Sequence, residues 1–400
     1  VASPGSLGEL VWAEDGLFPL CIRKVGMWEC LRDPFAGYLL GAPRLLAGIP
    51  AAVDLYSWGW ITNVVAALSW GLLAGLLAYW LIALGFAVLP SVSVALLPVI
   101  APIVGLESVN SVGSIYMPLL YASTVIASVG WRRRAETWVA AGLFFLTAIT
   151  IPLAGVLVAV LLVSLLKGRI SRTAALSSGS ALVIGLLLQF FVVFTAENTR
   201  KVTISTETLG YWFSELPVAL LTLWPGLYFG EATIFGIFVL PVAAWSGAAL
   251  VVILGALGLR WSLGNGDAKA IAGVLILSGL FYSFVPTVTG YASNRYFVPT
   301  VLGVMAAAVF VLADASSVRR QWILPCVVAL LAVAWLPAFS ASDWRSNPAP
   351  KWSDQVQQVV QQCAEDPMSP ARFEFSPNWP QEGVTQLFPP TNQFVPCNSL

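Results

Sequence analysis

The sequence predicts an all-α protein that crosses a membrane many times. Hydrophobic residues make up 58% of the 400 residues, whereas charged residues make up only 10%. A water-soluble domain needs more polar surface than this composition supplies. The apolar residues also form long runs of the length that a helix needs to cross a membrane. We expect about ten membrane helices, some of them broken, and a further first helix or signal ahead of Val1, because no apolar span occurs before residue 54.

The charged residues exclude several classes of function. With 20 basic and 20 acidic residues the net charge is zero, so the sequence predicts no nucleic-acid partner. The chain has no histidine, and any acid–base chemistry therefore falls to Asp, Glu, Lys, Tyr or water. It contains no phosphate-binding glycine loop, dinucleotide fingerprint or Cys/His metal spacing. The sequence therefore contains no recognisable motif for binding a soluble nucleotide.

Residues 1–53 are expected to form a partly helical segment outside the membrane, because proline, glycine and charged residues recur there. Four cysteines lie outside the apolar runs: Cys21, Cys30, Cys363 and Cys397. An even number suits an oxidising compartment, and Cys21–Cys30 with Cys363–Cys397 is the most economical of the three pairings. Free buried thiols are the alternative.

Residues 54–340 are predicted to form the membrane domain. No charged residue lies between Asp54 and Glu107, and this interval can hold two crossings of about 20 residues each. The expected spans are 57–84, 88–104, 114–130, 138–166 in two halves, 173–195, 233–258, 270–288, 297–314 and 322–340.

The positive charges predict the orientation. Arg132–Arg134 is a strong cytoplasmic marker. The apolar run 138–166 lies between this cluster and a second basic cluster at 167–172. If both clusters stay on the cytoplasmic side, the run must enter the membrane and return to the same side. Each half is short for a hydrocarbon core of about 30 Å, and Pro152 marks the expected break. Broken helices at membrane depth need protein or water around them, which predicts a cavity opening outwards.

The last 60 residues, 341–400, are expected to form a small extracytoplasmic α+β unit stapled by Cys363–Cys397. Val356, Val359, Val360 and Cys363 follow helical spacing after a Ser353 or Asp354 cap, and residues 371–376 alternate like a strand. Counting crossings places this unit and the aromatic loop 196–232 outside. The aromatic residues of that loop either form an interfacial belt or stack on sugars.

The acidic pair Glu14–Asp15 is the first candidate for a functional site. It lies between bulky apolar residues, where carboxylates are costly unless they face water, a cation or a reacting group. Gly16 would allow the backbone to turn sharply and present a carboxylate. We expect Asp15 to be a general base, with Glu14 less favoured; a solvated turn is the alternative.

Two further groups are candidates for ligand binding. Glu107 and Asn110 could bind a cation or sugar hydroxyls, or cap the helix that follows. Arg295, between Asn294 and Tyr296, lies at an expected outer helix end. Arginine suits bidentate phosphate binding, although snorkelling to lipid headgroups is an equally ordinary use.

These motifs together resemble the GT-C superfamily of polyprenyl-phosphate-sugar-dependent glycosyltransferases, especially multi-spanning actinobacterial members. The resemblance is carried by the acidic motif, the Gly-x-Glu-Ser-x-Asn-Ser segment Gly105–Ser111, the broken hairpin and the Arg-Tyr-Phe-x-Pro segment Arg295–Pro299. It implies that Asp15 or Glu14 acts as base and that the donor phosphate lies near Arg295. The chain departs from the family where Ser114-Ile115-Tyr116 replaces a frequent His-Trp pair. Some members use a divalent cation and others do not.

We therefore expect a multi-pass enzyme of the plasma membrane that transfers a sugar from a polyprenyl-phosphate-linked donor. The acceptor would be an extracytoplasmic glycan, glycolipid or protein. One alternative is a transporter or lipid flippase, although such proteins more often show repeated halves and charged groups at mid-membrane, where this sequence has chiefly Gln189. Another is a non-catalytic subunit of a cell-envelope membrane complex.

Overall fold

The computed structural model describes residues 11, 13–35, 37–101, 111–195, 206–221, 239–264, 266–288, 297–314, 351–373 and 394–397. This part of the chain is mostly α-helical with little strand, which confirms the predicted helical class. Its helices are α1 (Ala13–Val25), α2 (Met27–Arg32), α3 (Gly41–Ala51), α4 (Trp58–Ala83), α5 (Val88–Ile100), α6 (Tyr116–Val129), α7 (Arg134–Thr150), α8 (Val156–Leu166), α9 (Arg172–Thr195), α10 (Thr206–Leu221), α11 (Val239–Leu263), α12 (Asp267–Val288), α13 (Val298–Ala313) and α14 (Trp352–Glu365).

Three helical stretches in the described part are long and apolar enough to cross a membrane: Leu55–Ala83, Arg172–Thr195 and Asp267–Thr287. They support the predicted membrane protein, but the expected number of about ten such helices is not met by these residues. The other apolar helices are shorter, at 10–17 residues: Val88–Ile100, Gly113–Val129, Pro152–Leu166, Ala248–Leu263 and Val298–Ala313. An apolar run does not become one long helix where a proline or a 3-10 turn divides it.

The broken hairpin predicted within residues 138–166 is confirmed. Helix α7 ends at Thr150, and a 3-10 turn over Pro152–Gly155 leads directly into α8. Proline has no N–H to donate and fixes its own φ, so it suits the start of a new helical segment. The break lies where the sequence placed it, at Pro152.

Both basic clusters lie at the same end of the helical bundle. Arg169 Nη1 donates to the Ser128 carbonyl at 2.8 Å, close to the end of α6, and Gly130 lies directly against the Arg169 backbone. Lys167 Nζ donates to the Gly264 carbonyl at 2.8 Å, just after α11. We call this end, which carries Arg132–Arg134 and residues 167–172, the basic end. Helices α1–α3 lie at the opposite end, the Asp15 end.

Hydroxyl groups and close glycine contacts join neighbouring helices of the bundle. Ser123 Oγ on α6 and Thr147 Oγ1 on α7 share a hydrogen bond of 2.7 Å, and both residues are fully buried. A Cβ atom at Gly279 of α12 would approach Thr300 Cα of α13 to 2.9 Å, so only glycine permits this packing distance. Small residues and interhelical hydrogen bonds of this kind are typical of helix packing in membranes.

The C-terminal unit contains α14 and two short antiparallel strands, β1 (Pro370–Arg372) and β2 (Phe394–Pro396). The predicted helix and the Cys363–Cys397 disulfide are confirmed, and the strand predicted over residues 371–376 is observed over Pro370–Arg372. The predicted cap is wrong, because α14 starts two or three residues earlier than a Ser353 or Asp354 cap requires. Its N-cap is Lys351, and both candidates lie in the first turn.

Trp352 attaches the C-terminal unit to the rest of the protein. Its ring stacks on Trp58 at 5.8 Å and on Phe373 at 5.1 Å between centroids. Its Nε1 donates to the Leu55 carbonyl at 2.6 Å. Val356 and Val359 are buried beside it, whereas Val360 is 49% exposed, so only part of the predicted apolar stripe is covered. The unit thus packs where α4 begins, at the Asp15 end.

Candidate functional site

The acidic pair lies in the first turn of a helix, not in a sharp turn. Glu14, Asp15 and Gly16 all belong to α1, which begins at Ala13. The expectation that Gly16 bends the backbone here is therefore wrong. Two carboxylates near a helix N-terminus are favoured by the helix dipole, and this gain offsets the cost of about 1 kcal/mol for a helical glycine.

Asp15 connects α1 to the start of α6. The residue is only 3% exposed, and its Oδ1 accepts hydrogen bonds from Ser111 Oγ at 3.1 Å and Gly113 N at 2.8 Å. Gly113 opens the 3-10 turn Gly113–Ile115 that leads into α6, and N–H groups at such a start lack partners within the helix. A carboxylate is a strong acceptor for them, so Asp15 is held in one orientation.

The apolar neighbours of Asp15 pack in two directions. Leu17 belongs to a buried cluster with Trp58 and Trp352, next to the C-terminal unit. Phe18 belongs to a second cluster with Leu40 of the loop before α3. From the sequence, apolar residues next to Asp15 are expected to seat this segment on the membrane domain. Leu17 meets this expectation, because Trp58 begins α4 of the membrane domain, whereas Phe18 packs against the region of α3.

Two buried polar side chains of the bundle hold the start of α3. Thr150 Oγ1, at the end of α7, accepts from Ala42 N at 2.9 Å. Gln189 Oε1, on α9, accepts from Leu39 N at 3.0 Å, and Gln189 is completely buried. Between these bonds, Leu40 adopts a left-handed φ of 50°. This conformation is energetically unfavourable for any residue that has a side chain. The two bonds explain why this conformation persists.

Arg44 completes the attachment of the first segment. The side chain is 2% exposed, and its Nη1 donates to the carbonyls of Cys30 at 2.5 Å and of Asp33. These carbonyls close α2, where helix C-terminal oxygens lack partners within the helix. Burial lowers the pKa of Arg44 to about 10, against a raising effect of Asp33. The Cys21–Cys30 disulfide, confirmed here, ties α2 to α1 from the other side.

Several predicted site residues lie outside the described residues. These are Glu107, Asn110, Asn294, Arg295 and Tyr296, together with the side chain of Glu14. Their described neighbours are informative. Ser111, the last residue of the Gly105–Ser111 motif, contacts Asp15, and Phe297, the N-cap of α13, is fully buried. Helix α12 starts at the basic end, so α13 begins at the Asp15 end.

Sequence reasoning found Asp15 but missed the residues that position it. Ser111 belongs to the Gly105–Ser111 motif, but nothing in the sequence connected it to Asp15, and Gly113 carries no distinctive local signal. Thr150, which holds the start of α3, also lacks one, because hydroxyl residues are common in this chain. Arg44 had a signal that was not used: it is the only charge between Asp33 and Asp54. A lone charge in an apolar stretch requires a partner when it is buried.

In the described part of the chain, no group of three or more His, Cys, Asp or Glu residues is arranged to hold a metal ion. The divalent cation considered from the sequence remains a prediction, because Glu107 and the Glu14 side chain lie outside that part.

A comparison with protein-family models gave no match, and a comparison with curated proteins gave no significant match. The fold and the site therefore define a class, a helical membrane protein with two disulfides at one end. The function has to be argued from the residues of the chain.

Proposed function

We propose that the protein is a membrane glycosyltransferase that moves a sugar from a polyprenyl-phosphate-linked donor to an extracytoplasmic acceptor. The single observation that carries the proposal is the carboxylate of Asp15, which is buried and fixed at one end of an apolar helical bundle. Burial of a carboxylate is expensive, and a group held in one orientation is suited to act on a substrate bound beside it.

In the proposed reaction, Asp15 accepts the proton of the acceptor hydroxyl while that oxygen attacks the sugar and the lipid phosphate leaves. A cationic group near the leaving phosphate stabilises the charge that develops there. Arg295 is our candidate for this group, with Asn294 and Tyr296 beside it. Glu107 and Asn110 are candidates for sugar or cation binding, since Ser111, which follows them directly, contacts Asp15.

The proposal includes an orientation in the plasma membrane. Residues 1–53, 196–232 and 341–400 would lie outside the cytoplasm and Arg132–Arg134 inside. Two observations support it. The basic clusters share one end, as the preference of positive charge for the cytoplasm requires, and both disulfides lie at the opposite end, as an oxidising compartment requires. A polyprenyl donor would then enter sideways from the bilayer to the Asp15 end.

The test is sugar transfer from a polyprenyl-phosphate donor by Asp15→Asn and Glu14→Gln variants. Asparagine keeps an oxygen for the Ser111 and Gly113 bonds but cannot act as a base, so we expect turnover to fall about 10²- to 10⁴-fold with little change in donor binding. Ser111→Ala is the positioning control and should lose less, because Gly113 N still orients the carboxylate. Near-normal turnover in both Asp15→Asn and Glu14→Gln would show that the carboxylates of α1 take no part in the reaction.

One observation favours a second candidate function, a non-catalytic subunit of an envelope complex. The hydrogen bond from Gly113 N to Asp15 also stabilises the start of a helix, and this role needs no reaction. The two candidates differ in Asp15→Asn, which preserves the acceptor oxygen. A scaffold would keep its thermal stability and its function in this variant, whereas the enzyme would keep its stability and lose turnover.

A further inference from the structure

Helix α3 has an exposed apolar face. Leu45 and Ile49 are four residues apart, so they lie on one side of the helix, and they are 45% and 51% exposed. The only charged residue of α3 is Arg44, which is 2% exposed and donates to the carbonyls that close α2. No polar side chain of α3 therefore accompanies Leu45 and Ile49, and the depth of the helix in the membrane decides what covers them.

The start of α3 rests on the tip of the short hairpin formed by α7 and α8. Ala42 N donates to Thr150 Oγ1, on the last residue of α7, at 2.9 Å. Glu136 is the last charged residue of α7, so the hydrocarbon core begins at or beyond it. From Glu136 to Thr150 the helix rises at most about 21 Å, which is less than the core thickness of about 30 Å. The tip of the hairpin, and with it the start of α3, therefore lies inside the core.

Helix α9 gives the same depth. It is a membrane-span candidate that opens with Arg172 at the basic end. The side chain of Gln189 is completely buried and accepts from Leu39 N, just ahead of α3, at 3.0 Å. Gln189 lies about 26 Å along α9 from Arg172, again less than the core thickness of about 30 Å. Leu39 therefore also lies short of the core boundary at the Asp15 end.

Helix α4 measures the depth from the opposite boundary. The span candidate Leu55–Ala83 has 29 residues, or about 43 Å, which matches a bilayer together with its headgroup layers. Leu46 of α3 packs against the cluster of Val65, Ala66 and Val112. Val65 lies about 15 Å along this span from Leu55, whereas one headgroup layer is only about 7 Å thick. The middle of α3 is therefore also at the depth of acyl chains.

The hydrogen bonds at the start of α3 suit a place without water. The first N–H groups of a helix have no partners within it, and an unpaired N–H is costly in hydrocarbon. Here Gln189 and Thr150 accept from Leu39 N and Ala42 N, and Pro43, the next residue, has no N–H to satisfy. Non-helical backbone at membrane depth is tolerated where protein groups supply its partners in this way.

We propose that α3 is a re-entrant helix that starts within the membrane, above the short hairpin, and rises to the membrane surface where α4 begins. The partner of its exposed face is the acyl chains of the leaflet at the Asp15 end, which contact Leu45 and Ile49. Residues 1–53 are then only partly outside the membrane, because their third helix lies in it. The inference holds for an enzyme and for a scaffold, so it is independent of the proposed transfer reaction.

The experiment measures how often dissolved reagents collide with a spin label on the full chain in phosphatidylcholine vesicles. After Cys326→Ala, the label is attached to a cysteine at Leu45→Cys or at Ile49→Cys. Oxygen concentrates in the hydrocarbon core, whereas a water-soluble nickel chelate is excluded from it. Both positions should therefore show a ratio of oxygen to nickel collisions that is severalfold higher than at a position in water. Because both side chains are about half exposed, the labels should not disturb packing, and thermal unfolding checks this.

Two matched labels define the limits of the scale. Leu187→Cys is the lipid control, because Leu187 is 63% exposed on α9 and lies close to the level of Gln189. Arg32→Cys is the water control, because the Arg32 side chain is 75% exposed on α2. Ratios at Leu45 and Ile49 that matched the water control would refute the proposal. Low collision rates with both reagents would show that protein covers this face, and would overturn the assignment to acyl chains.

The same labels test the direction of α3. Leu45 lies about 6 Å nearer to the start of the helix than Ile49 does. If α3 rises from the core to the surface, the ratio of oxygen to nickel collisions should be higher at Leu45 than at Ile49. Equal ratios at the two positions would show a helix that lies flat along the membrane surface, and would overturn the re-entrant placement.

Discussion

Arg44 carries a positive charge into the buried interior of the segment formed by α1–α3. Its guanidinium lies 5.4 Å from the Phe18 ring centroid, and carbonyls at the end of α2 accept its hydrogen bonds. Burial lowers the pKa of Arg44 to about 10, which is still well above neutral, so the side chain stays charged in the folded protein. Because Nη1 donates to three backbone carbonyls, those of Cys30, Leu31 and Asp33, an uncharged replacement would leave them without this donor.

Arg44→Met should destabilise the protein by about 2–4 kcal/mol, because the carbonyls at the end of α2 lose a charged donor and remain buried. The measurement is the midpoint of thermal unfolding in detergent. Arg32→Met is the control, since its salt bridge to Glu29 joins two side chains that are 75% and 64% exposed. Such a pair contributes about 0–1 kcal/mol. An Arg44→Met protein that unfolded no earlier than the control would contradict this role.

At the residue scale, the sequence identified the charge but not its partners. Asp15 was conspicuous because a carboxylate among apolar residues demands an explanation. Its donors Ser111 and Gly113 are 96 and 98 positions away along the chain, and no local pattern connects them to it.

At the element scale, Asp54 shows how a single side chain starts a long helix. Its carboxylate accepts from Ser57 N at 3.1 Å and from Ser57 Oγ at 2.7 Å, immediately ahead of α4. The hydroxyl bond from Ser57 is the main cause that holds the pKa of Asp54 below its ordinary value. The ionised carboxylate is therefore the form that stabilises the fold.

Asp54→Ala should lower the midpoint of thermal unfolding at pH 7. The folded-state pKa lies below the unfolded value of 3.8, so the stabilisation is fully present above that value. It is lost as the pH falls through the folded-state pKa. The difference in midpoint between wild type and Asp54→Ala should accordingly shrink below about pH 4. Ser57→Ala, which removes the principal cause of the shift, should weaken this pH dependence. If the difference in midpoint between wild type and Asp54→Ala stayed constant down to pH 3, the ionised Asp54 carboxylate would not be the stabilising form.

Element lengths were less predictable than element positions. The sequence correctly placed the break of the hairpin at Pro152, because proline acts on the backbone locally. It overestimated the number of membrane-long helices, because hydropathy reports where a chain is apolar and not where its helices end. Helix α8, with 11 residues, is apolar apart from Ser164 and still too short to span a core of about 30 Å by itself.

At the scale of the whole molecule, the separation of charge from disulfides defines two ends. The arginine clusters lie at one end, and Cys21–Cys30 and Cys363–Cys397 lie at the other. This arrangement predicts which end faces the cytoplasm.

Cysteine-accessibility labelling in intact cells tests the prediction. After Cys326→Ala, a cysteine at Glu365→Cys should react with a membrane-impermeant reagent from outside. One at Arg134→Cys should react only after the membrane is opened. Position 365 is in the last turn of α14 and position 134 is exposed, so neither replacement disturbs packing. Labelling of position 134 from outside would invert the orientation and, with it, the proposed site of sugar transfer.

The sequence by itself predicted the class of protein, the pairing of four cysteines and the break at Pro152, and it singled out Asp15 as a carboxylate that needs a partner. Each of these follows from composition or from a residue whose chemistry acts locally. Only the tertiary structure decided that Glu14–Asp15 begins a helix, that Asp15 binds the start of α6, and that Thr150 and Gln189 hold the start of α3. These contacts join residues about 100 positions or more apart. They form because the bundle buries polar groups whose hydrogen-bond partners lie on other helices.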